Sequence, residues 1–256
     1  MTKTRMIIKK HVTGARMSKL SEEKMLGKLQ GFSTPTVANV VATYPENPHC
    51  LGLYDPWKGK WYTDQSVHCV FPEMGRRIGY AFTLVVSVPD PKYPSLLFED
   101  LIEALYKAKN PTIVVCQQVY PPEILNKARL FGGQSTVLYK ACGAVGVITN
   151  GPSGDTDEMR PLGIQYIMSG VTPGHGDFSL RAINVPVSVA GMDVTPGDII
   201  HMDEHGAVKF PADKLPDVCR NIDALSRGEQ EQAKALLAAK NLEELKAAWL
   251  KRSVYK

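Results

Sequence analysis

Thr112-Ile113-Val114-Val115-Cys116 is a short, unbroken apolar run that starts directly after Asn110-Pro111. A run of this length, rich in β-branched residues and bounded by a turn, reads as a strand buried on both faces. Working outward from it gives the same unit on either side. Upstream, residues 81–88 form a second β-branched run. Behind Ser95, a candidate N-cap, Leu97, Leu101, Ala104, Leu105 and Ala108 recur at helical spacing until Asn110-Pro111 stops them. Downstream, a helix is expected over 134–142 and a strand over 145–149. Strand, helix, strand, helix, strand with short connections specifies parallel strands and right-handed crossovers, hence an α/β fold.

The flanks differ in texture. Residues 1–32 are polar and basic and read as an arm or helix, with the α/β domain at 33–215 and a helical extension at 216–256. Ser33-Thr34-Pro35 opens a short helix over 36–43. Residues 44–78 hold Pro, Gly, Tyr and Trp without a sustained period, so an irregular segment with short strands is expected there, serving function or an interface. Beyond Pro186 the runs 185–190, 198–202 and 207–210 are separated by Gly191, Pro196-Gly197 and His205-Gly206, which predicts hairpins or corners. Ser226-x-x-Glu229 and Asn241-x-x-Glu244 resemble capping boxes. Leu236, Leu237, Leu245, Ala248 and Trp249 form an apolar stripe expected to pack, against a second subunit.

Composition narrows the function classes. The chain has 256 residues, 44% hydrophobic and 22% charged, which excludes whole-chain disorder and coiled coil. The 21 glycines and 18 prolines point to many tight loops, where function tends to sit. The formal charge is +4, but Lys and Arg are scattered rather than gathered on one stripe, so no nucleic-acid partner is expected. No apolar run approaches a membrane span, and Met6-Ile7-Ile8 is cut off by Lys9-Lys10 before it could serve as a signal-peptide core. No membrane partner and a cytoplasmic location are therefore expected. Five cysteines without a C-x-x-C pair read as free thiols.

In an open parallel sheet ligands bind beyond the C-terminal strand ends, and two loops qualify. Phe131-Gly132-Gly133-Gln134-Ser135 leads into a helix. Its glycines admit a ligand close to the backbone, and first-turn N–H groups attract carboxylate or phosphate. It lacks the Gly-Lys-Ser/Thr of a Walker A loop, and a plain tight turn is the competing reading. Asn150-Gly151-Pro152-Ser153-Gly154-Asp155-Thr156-Asp157-Glu158 follows the 145–149 strand. Its acids suit Mg²⁺, while Asp155-x-x-Glu158 would equally cap a helix, and spacing leaves both open. His201, Asp203 and His205 alternate as on one strand face, yet Glu204-His205-Gly206 reads as a turn. His49-Cys50 and His68-Cys69 lack standard zinc spacing, and His175 reads as a loop residue. No G-x-S-x-G elbow is present.

Gly79-Tyr80-Ala81-Phe82-Thr83, residues 141–151 from Ala141-Cys142-Gly143-Ala144 to Asn150-Gly151, Asn184-Val185-Pro186-Val187, Val194-Thr195-Pro196-Gly197-Asp198 and Asp203-Glu204-His205-Gly206 occur in this order. Together they resemble the RraA-like family over about residues 33–212. That family includes the regulator of ribonuclease activity A and the 4-hydroxy-4-methyl-2-oxoglutarate aldolases, some members formerly labelled demethylmenaquinone methyltransferases. The resemblance implies a compact α/β/α single domain of the swivelling phosphohistidine type, assembled as a homotrimer or a dimer of trimers. It also implies a divalent-metal lyase in which a glycine-led helix start binds the substrate carboxylate. An Arg-Asp pair completes the site, the Arg at the enolate oxygen and the Asp on Mg²⁺, preceded by an acid in the pattern D/E-x20-R-D.

Carried onto this chain, the carboxylate subsite is Gly132, Gly133, Gln134 and Ser135, and the pair is Gly154-Asp155. Residues 134–153 supply the spacer of twenty. Only Asp155 of the three side chains is kept, because Gly133 stands for the acid and Gly154 for the arginine. Arg160, six residues beyond Gly154, is the candidate cation within the chain; a cation from another subunit, or a different substrate, are the alternatives. The expected function is a Mg²⁺-dependent carbon–carbon lyase of aldolase or decarboxylase type on a small carboxylate, a 2-oxo or hydroxy acid. The alternative is a non-catalytic protein that binds and modulates a partner such as a ribonuclease.

Overall fold

In a computed structural model of the chain, residues 21–42 and 47–250 are described. Lys3, Arg5, Lys9, Lys10, Arg16 and Lys19 of the basic arm, and Thr43 of the expected 36–43 helix, lie outside them. Two short helices, α1 (Glu22–Leu29) and α2 (Thr34–Val41), come first. A short strand β1 (His68–Cys69) leads to the long β2 (Arg77–Ser87). The expected unit follows: α3 (Phe98–Tyr106), β3 (Thr112–Val119), the one-turn α4 (Pro122–Leu125), α5 (Gly133–Ala141) and β4 (Ala144–Thr149). After α6 (Thr156–Met159) come β5 (Gln165–Met168), β6 (Ser179–Ile183), β7 (Val187–Val189), β8 (Met192–Val194), β9 (Ile199–Asp203) and β10 (Gly206–Phe210). Two helices, α7 (Leu215–Ala238) and α8 (Leu242–Leu250), end the described chain.

The strands β2, β3, β4 and β5 lie side by side in parallel, as short crossovers require. Antiparallel β1, β6, β9 and β10 extend that centre into one sheet that nearly closes on itself. The opening run is buried on both faces because each face has a different cover. Val114 and Cys116 pack against Leu101 and Leu105 of α3 and Tyr139 of α5. Ile113 and Val115 pack against the β7–β8 hairpin through Val187, Val189, Met192 and Val194. A third cluster joins α1, α2 and the first turns of α7 to Ile199 and Phe210. The result is the expected α/β single domain with C-terminal helices.

Several local expectations need correction. Ser95 does not cap α3: its hydroxyl accepts the Leu180 N–H at 2.9 Å, while Leu97 stands at the N-cap and its N–H reaches Asp100 Oδ2 at 3.3 Å. Ser226 lies inside α7, where its hydroxyl accepts from Gln230, so it caps nothing. The described part of 44–78 packs along α2 and β10, with Trp61 buried, stacked on Tyr54 and accepting the Lys209 N–H on its carbonyl. Of the C-terminal apolar stripe Ala248 is buried, whereas Leu237 and Trp249 are exposed.

Asn241 does cap α8. Its Oδ1 accepts the Glu244 N–H at 2.9 Å, and the Glu244 carboxylate reaches back to the Lys240 N–H at 2.8 Å. Asn241→Ala is expected to cost about 1 kcal/mol, local to α8. Hydrogen exchange checks it: faster exchange confined to 242–250 is expected, and unchanged protection would remove the cap from the account.

Candidate active site at the glycine-led helix start

The parallel strands all end on one side, and the segments that leave them meet there. Phe131 and Ser153 form a parallel bridge, Ser153 forms another with Val171, and Arg129 forms one with His175. The Gly154 N–H donates to the Phe131 carbonyl at 3.1 Å. Both loops singled out in the sequence therefore lie against each other, joined by a third loop that holds His175.

Gly132 is the N-cap of α5, and its carbonyl is the anchor of the first turn. It accepts from the Thr136 N–H at 3.1 Å, the Thr136 hydroxyl at 2.7 Å and the Ser135 hydroxyl at 3.1 Å. The Gly132 N–H donates to Ser135 Oγ at 3.0 Å and the Gly133 N–H to Asp155 Oδ2 at 3.4 Å. Among the described residues the N–H groups of Gln134 and Ser135 take no protein acceptor, so they are the open donors at the positive end of the helix. Beside them lies a largely apolar cavity of about 410 Å³, walled by Phe98, Phe131, Leu138 and Phe178, with Gln134 and Ser135 also lining it.

Asp155 adopts the left-handed conformation, φ 52° and ψ 38°, just before α6. Such backbone is uncommon outside glycine, though Asp and Asn tolerate it best, and it turns the side chain back toward α5. The carboxylate does not cap α6. Its Oδ2 takes the Gly133 N–H, and its Oδ1 is ion-paired with Arg129 Nη1. The Arg129 hydrogen bond, with help from the Gly133 N–H and the charges of Arg129 and His175, holds the carboxyl below its ordinary value of 3.8 despite some desolvation. The capping reading of Asp155-x-x-Glu158 is thus replaced by contacts across the two loops.

Arg160 is turned elsewhere. It begins the 3₁₀ turn after α6, is ion-paired with Glu73, and lies 4.8 Å from the centre of the Phe71 ring. The cation on Asp155 is Arg129, which the sequence reading did not single out.

The two glycines of the aldolase pattern are close-packed. A Cβ added to Gly154 would stand 2.5 Å from Cδ of Arg129, with the guanidinium nearer still. A Cβ added to Gly133 would stand 3.1 Å from both Cβ and Cδ of Glu158, again with the charged end nearer. Gly132 is similarly closed, its added Cβ lying 3.4 Å from Cγ of Asp155. A cation fills the space outside Gly154 and carboxylates fill the space outside Gly132 and Gly133. Two buried polar atoms at the same strand ends, Gln118 Oε1 and Ser153 Oγ, have no hydrogen-bond partner among the described residues.

The weaker signals resolve as structure. His201 is buried, its Nδ1 2.8 Å from the Thr34 hydroxyl and its Nε2 3.2 Å from the Leu29 carbonyl. Asp203 accepts the N–H groups of Thr34 and His205, at 2.8 and 2.9 Å. These residues fasten β9 to α2 and shape the β9–β10 turn. Among the described residues no group of three or more His, Cys, Asp and Glu stands together as a metal cage, which includes the two His-Cys pairs, and all five cysteines are free thiols.

A model of the RraA-like family, described as Aldolase/RraA, matches residues 52–209. The chain belongs to the RraA-like family. An uncharacterized protein of Methanocaldococcus jannaschii is 26% identical over 172 residues, 65% of this chain and 76% of that protein. The 4-hydroxy-4-methyl-2-oxoglutarate aldolase of Thermus thermophilus is 31% identical over 91 residues, a third (33%) of this chain and about half (52%) of that protein. An uncharacterized protein from Pseudomonas syringae pv. tomato matches in structure with a TM-score of 0.69 at 16% identity, over 94% of this chain and 100% of that one. Streptomyces coelicolor RraAS2, described as an unusual member of the RNase ES inhibitor RraA protein family, matches with a TM-score of 0.62 at 20% identity, over 84% of this chain and 98% of its own. At these identities the structural matches speak for the RraA-like fold. The family holds both aldolases and ribonuclease inhibitors, so activity has to be argued from the site. Among the described residues no helix is long and apolar enough to cross a membrane.

Proposed function

We propose that this protein is a divalent-metal-dependent carbon–carbon lyase acting on a small 2-oxo or hydroxy acid, by retro-aldol cleavage or decarboxylation. One observation carries the reading: an ionised carboxylate, Asp155, is held with its counter-cation Arg129 against an open helix N-terminus. The N–H groups of Gln134 and Ser135 bind the substrate carboxylate, where the helix end favours negative charge. Likeness to the Thermus thermophilus aldolase supports the same class of reaction.

The donor chemistry fits a hard divalent cation such as Mg²⁺, which takes one or two carboxylates and keeps several waters. Asp155 retains lone pairs beyond its two contacts, and Glu158 brings a second carboxylate to the neighbouring glycine. Held there by Asp155 and Glu158, such a cation would supply Lewis-acid polarisation of the 2-oxo group. The chain's own part is to orient the acid on the α5 amides and to keep Asp155 ionised through Arg129.

The ribonuclease-modulator reading rests on lost side chains at 133 and 154. Its motivation weakens once Glu158 and Arg129 are seen to fill both places. Under the lyase reading the protein acts in the cytoplasm as a homotrimer or dimer of trimers, and exposed Tyr93, Leu97, Phe98 and Phe178 support self-association.

The test is pyruvate release from oxaloacetate and from 4-hydroxy-4-methyl-2-oxoglutarate, with Mg²⁺ and after chelation. Mg²⁺-dependent release well above the uncatalysed rate is expected. Background rates with both substrates at saturating Mg²⁺ would overturn the reading.

A further inference from the structure

Gly154 and Gly133 look in the sequence like lost side chains. In the structure each is the near wall of a space that a charged side chain from elsewhere already fills. Arg129 comes from the loop before α5 and passes so close to Gly154 that any Cβ there would meet its Cδ at 2.5 Å. Glu158 does the same at Gly133 from α6, one turn beyond Asp155. Two independent glycines admitting two side chains, of opposite charge and each matched to its place, is more than a loose loop would produce.

Resting on the lyase reading above, we propose that Arg129 is the catalytic cation of this site, entering from the opposite side of Gly154 to face the oxygen on which the enolate charge develops. Its position is fixed at both ends. Its backbone N–H donates to the Gly174 carbonyl at 3.0 Å, and its Nη1 is ion-paired with Asp155. A guanidinium carries five N–H donors, and among the described residues the Asp155 contact is the side-chain hydrogen bond Arg129 makes. Nε and Nη2 remain free for a substrate oxygen, in a side chain that is four-fifths buried, at 21% exposure. A purely structural arginine in such a place would ordinarily spend those donors on carbonyls, as Arg181 does on Tyr93 and Val88.

The step balances without any further reactant. In a 4-hydroxy-2-oxo acid the C3–C4 bond breaks and C4 becomes a carbonyl as its hydroxyl loses a proton to a base. The electron pair of the broken bond passes into C2–C3 and onto the C2 oxygen, giving the enolate. Protonation at C3 then yields the 2-oxo acid. Arg129 faces the C2 oxygen, where a preorganised donor contributes on the order of 10²–10³ in rate.

The experiment uses the full chain, oxalate as the probe for enolate binding, and pyruvate release as the rate. Arg129→Gly is expected to lower kcat/KM about 100- to 1000-fold and to weaken oxalate binding at least about tenfold. Added guanidinium ion is expected to restore part of the rate. Gly154→Arg in the wild type should lose activity, since Arg129 occupies its space. Arg129→Gly combined with Gly154→Arg should regain at least about tenfold over Arg129→Gly alone, the cation now entering from the other side. Arg129→Gly with kcat/KM within threefold of wild type overturns the assignment. So does a loss with oxalate affinity unchanged and no rescue by guanidinium or by Gly154→Arg, since that is the behaviour of a structural ion pair. A wild type that releases pyruvate only at background rates, whether or not it binds oxalate, overturns the lyase reading itself, and this assignment with it.

Discussion

Asp155→Asn is expected to lower the rate of pyruvate release at least about 100-fold while leaving the fold intact, because it removes charge from the site and little else. Asparagine matches aspartate in size and tolerates the left-handed backbone that Asp155 adopts, so the turn before α6 survives. Asp155→Ala would add backbone strain there and confuse the result. The lost ion pair with Arg129 is part-exposed, 21% and 32% for the two side chains, so it contributes no more than about 1 kcal/mol to stability. The melting temperature should therefore stay within a few degrees, as far as about 1 kcal/mol moves it in a chain of this size. Since the Asp155 carboxyl sits below 3.8, the acid limb of the rate should not carry a step from this group at ordinary assay pH. Full activity in Asp155→Asn would remove Asp155 from the mechanism.

The second large effect is on stability and arises far from the site. Burial pushes His201 down from 6.5 to about 4, against the opposing pull of Asp203 and the Leu29 carbonyl, with Arg76 adding to the depression. Its two ring nitrogens suit a neutral ring, Nε2–H donating to Leu29 and Nδ1 accepting from the Thr34 hydroxyl. A histidine whose folded value lies below its unfolded one stabilises the fold above the unfolded pKa. That stability is lost as pH falls from about 6.5 through about 4. Over the full window the loss amounts to about 3 kcal/mol. Urea midpoints at pH 7, 5.5 and 4.5 check it: the wild type should weaken steadily toward acid, and His201→Gln, weaker at pH 7, should have a flatter profile. Equal pH slopes in the two proteins would contradict the account.

The parallel centre was legible because its signals are local. Thr112-Ile113-Val114-Val115-Cys116 has to be buried on both faces whatever covers it, and short crossovers leave only one hand. The covers were less legible. Nothing in the sequence says that a β-hairpin, and not a helix, lies over Ile113 and Val115, since that depends on where distant segments fold back. Caps failed where tertiary hydrogen bonds outbid local ones, as at Ser95, and held at Asn241, an exposed helix start with no competitor.

The candidate site divides in the same way. Gly132, Gly133, Gln134, Ser135 and Asp155 stand in loops that the sequence marks out, the resemblance to the RraA-like family is what makes them one site, and the structure brings them together. Arg129 was missed because its relation to Asp155 spans 26 residues and two loops. The one available signal is a pair of glycines, 133 and 154, each with a charged residue near it in the chain, Arg129 before the first and Glu158 after the second, each of which fills the space at the other glycine. Arg160 is near Gly154 in the sequence, but the turn it begins carries it to Glu73 instead.

The central claim is that the start of α5 and Asp155 together form a binding site for a 2-oxo acid. The most direct measurement is a crystal soaked with Mg²⁺ and oxalate. Oxalate lying between the Gln134 and Ser135 amides and the Asp155–Arg129 pair is the expected result. Oxalate bound elsewhere, or a helix start left empty at saturating oxalate and Mg²⁺, would contradict it.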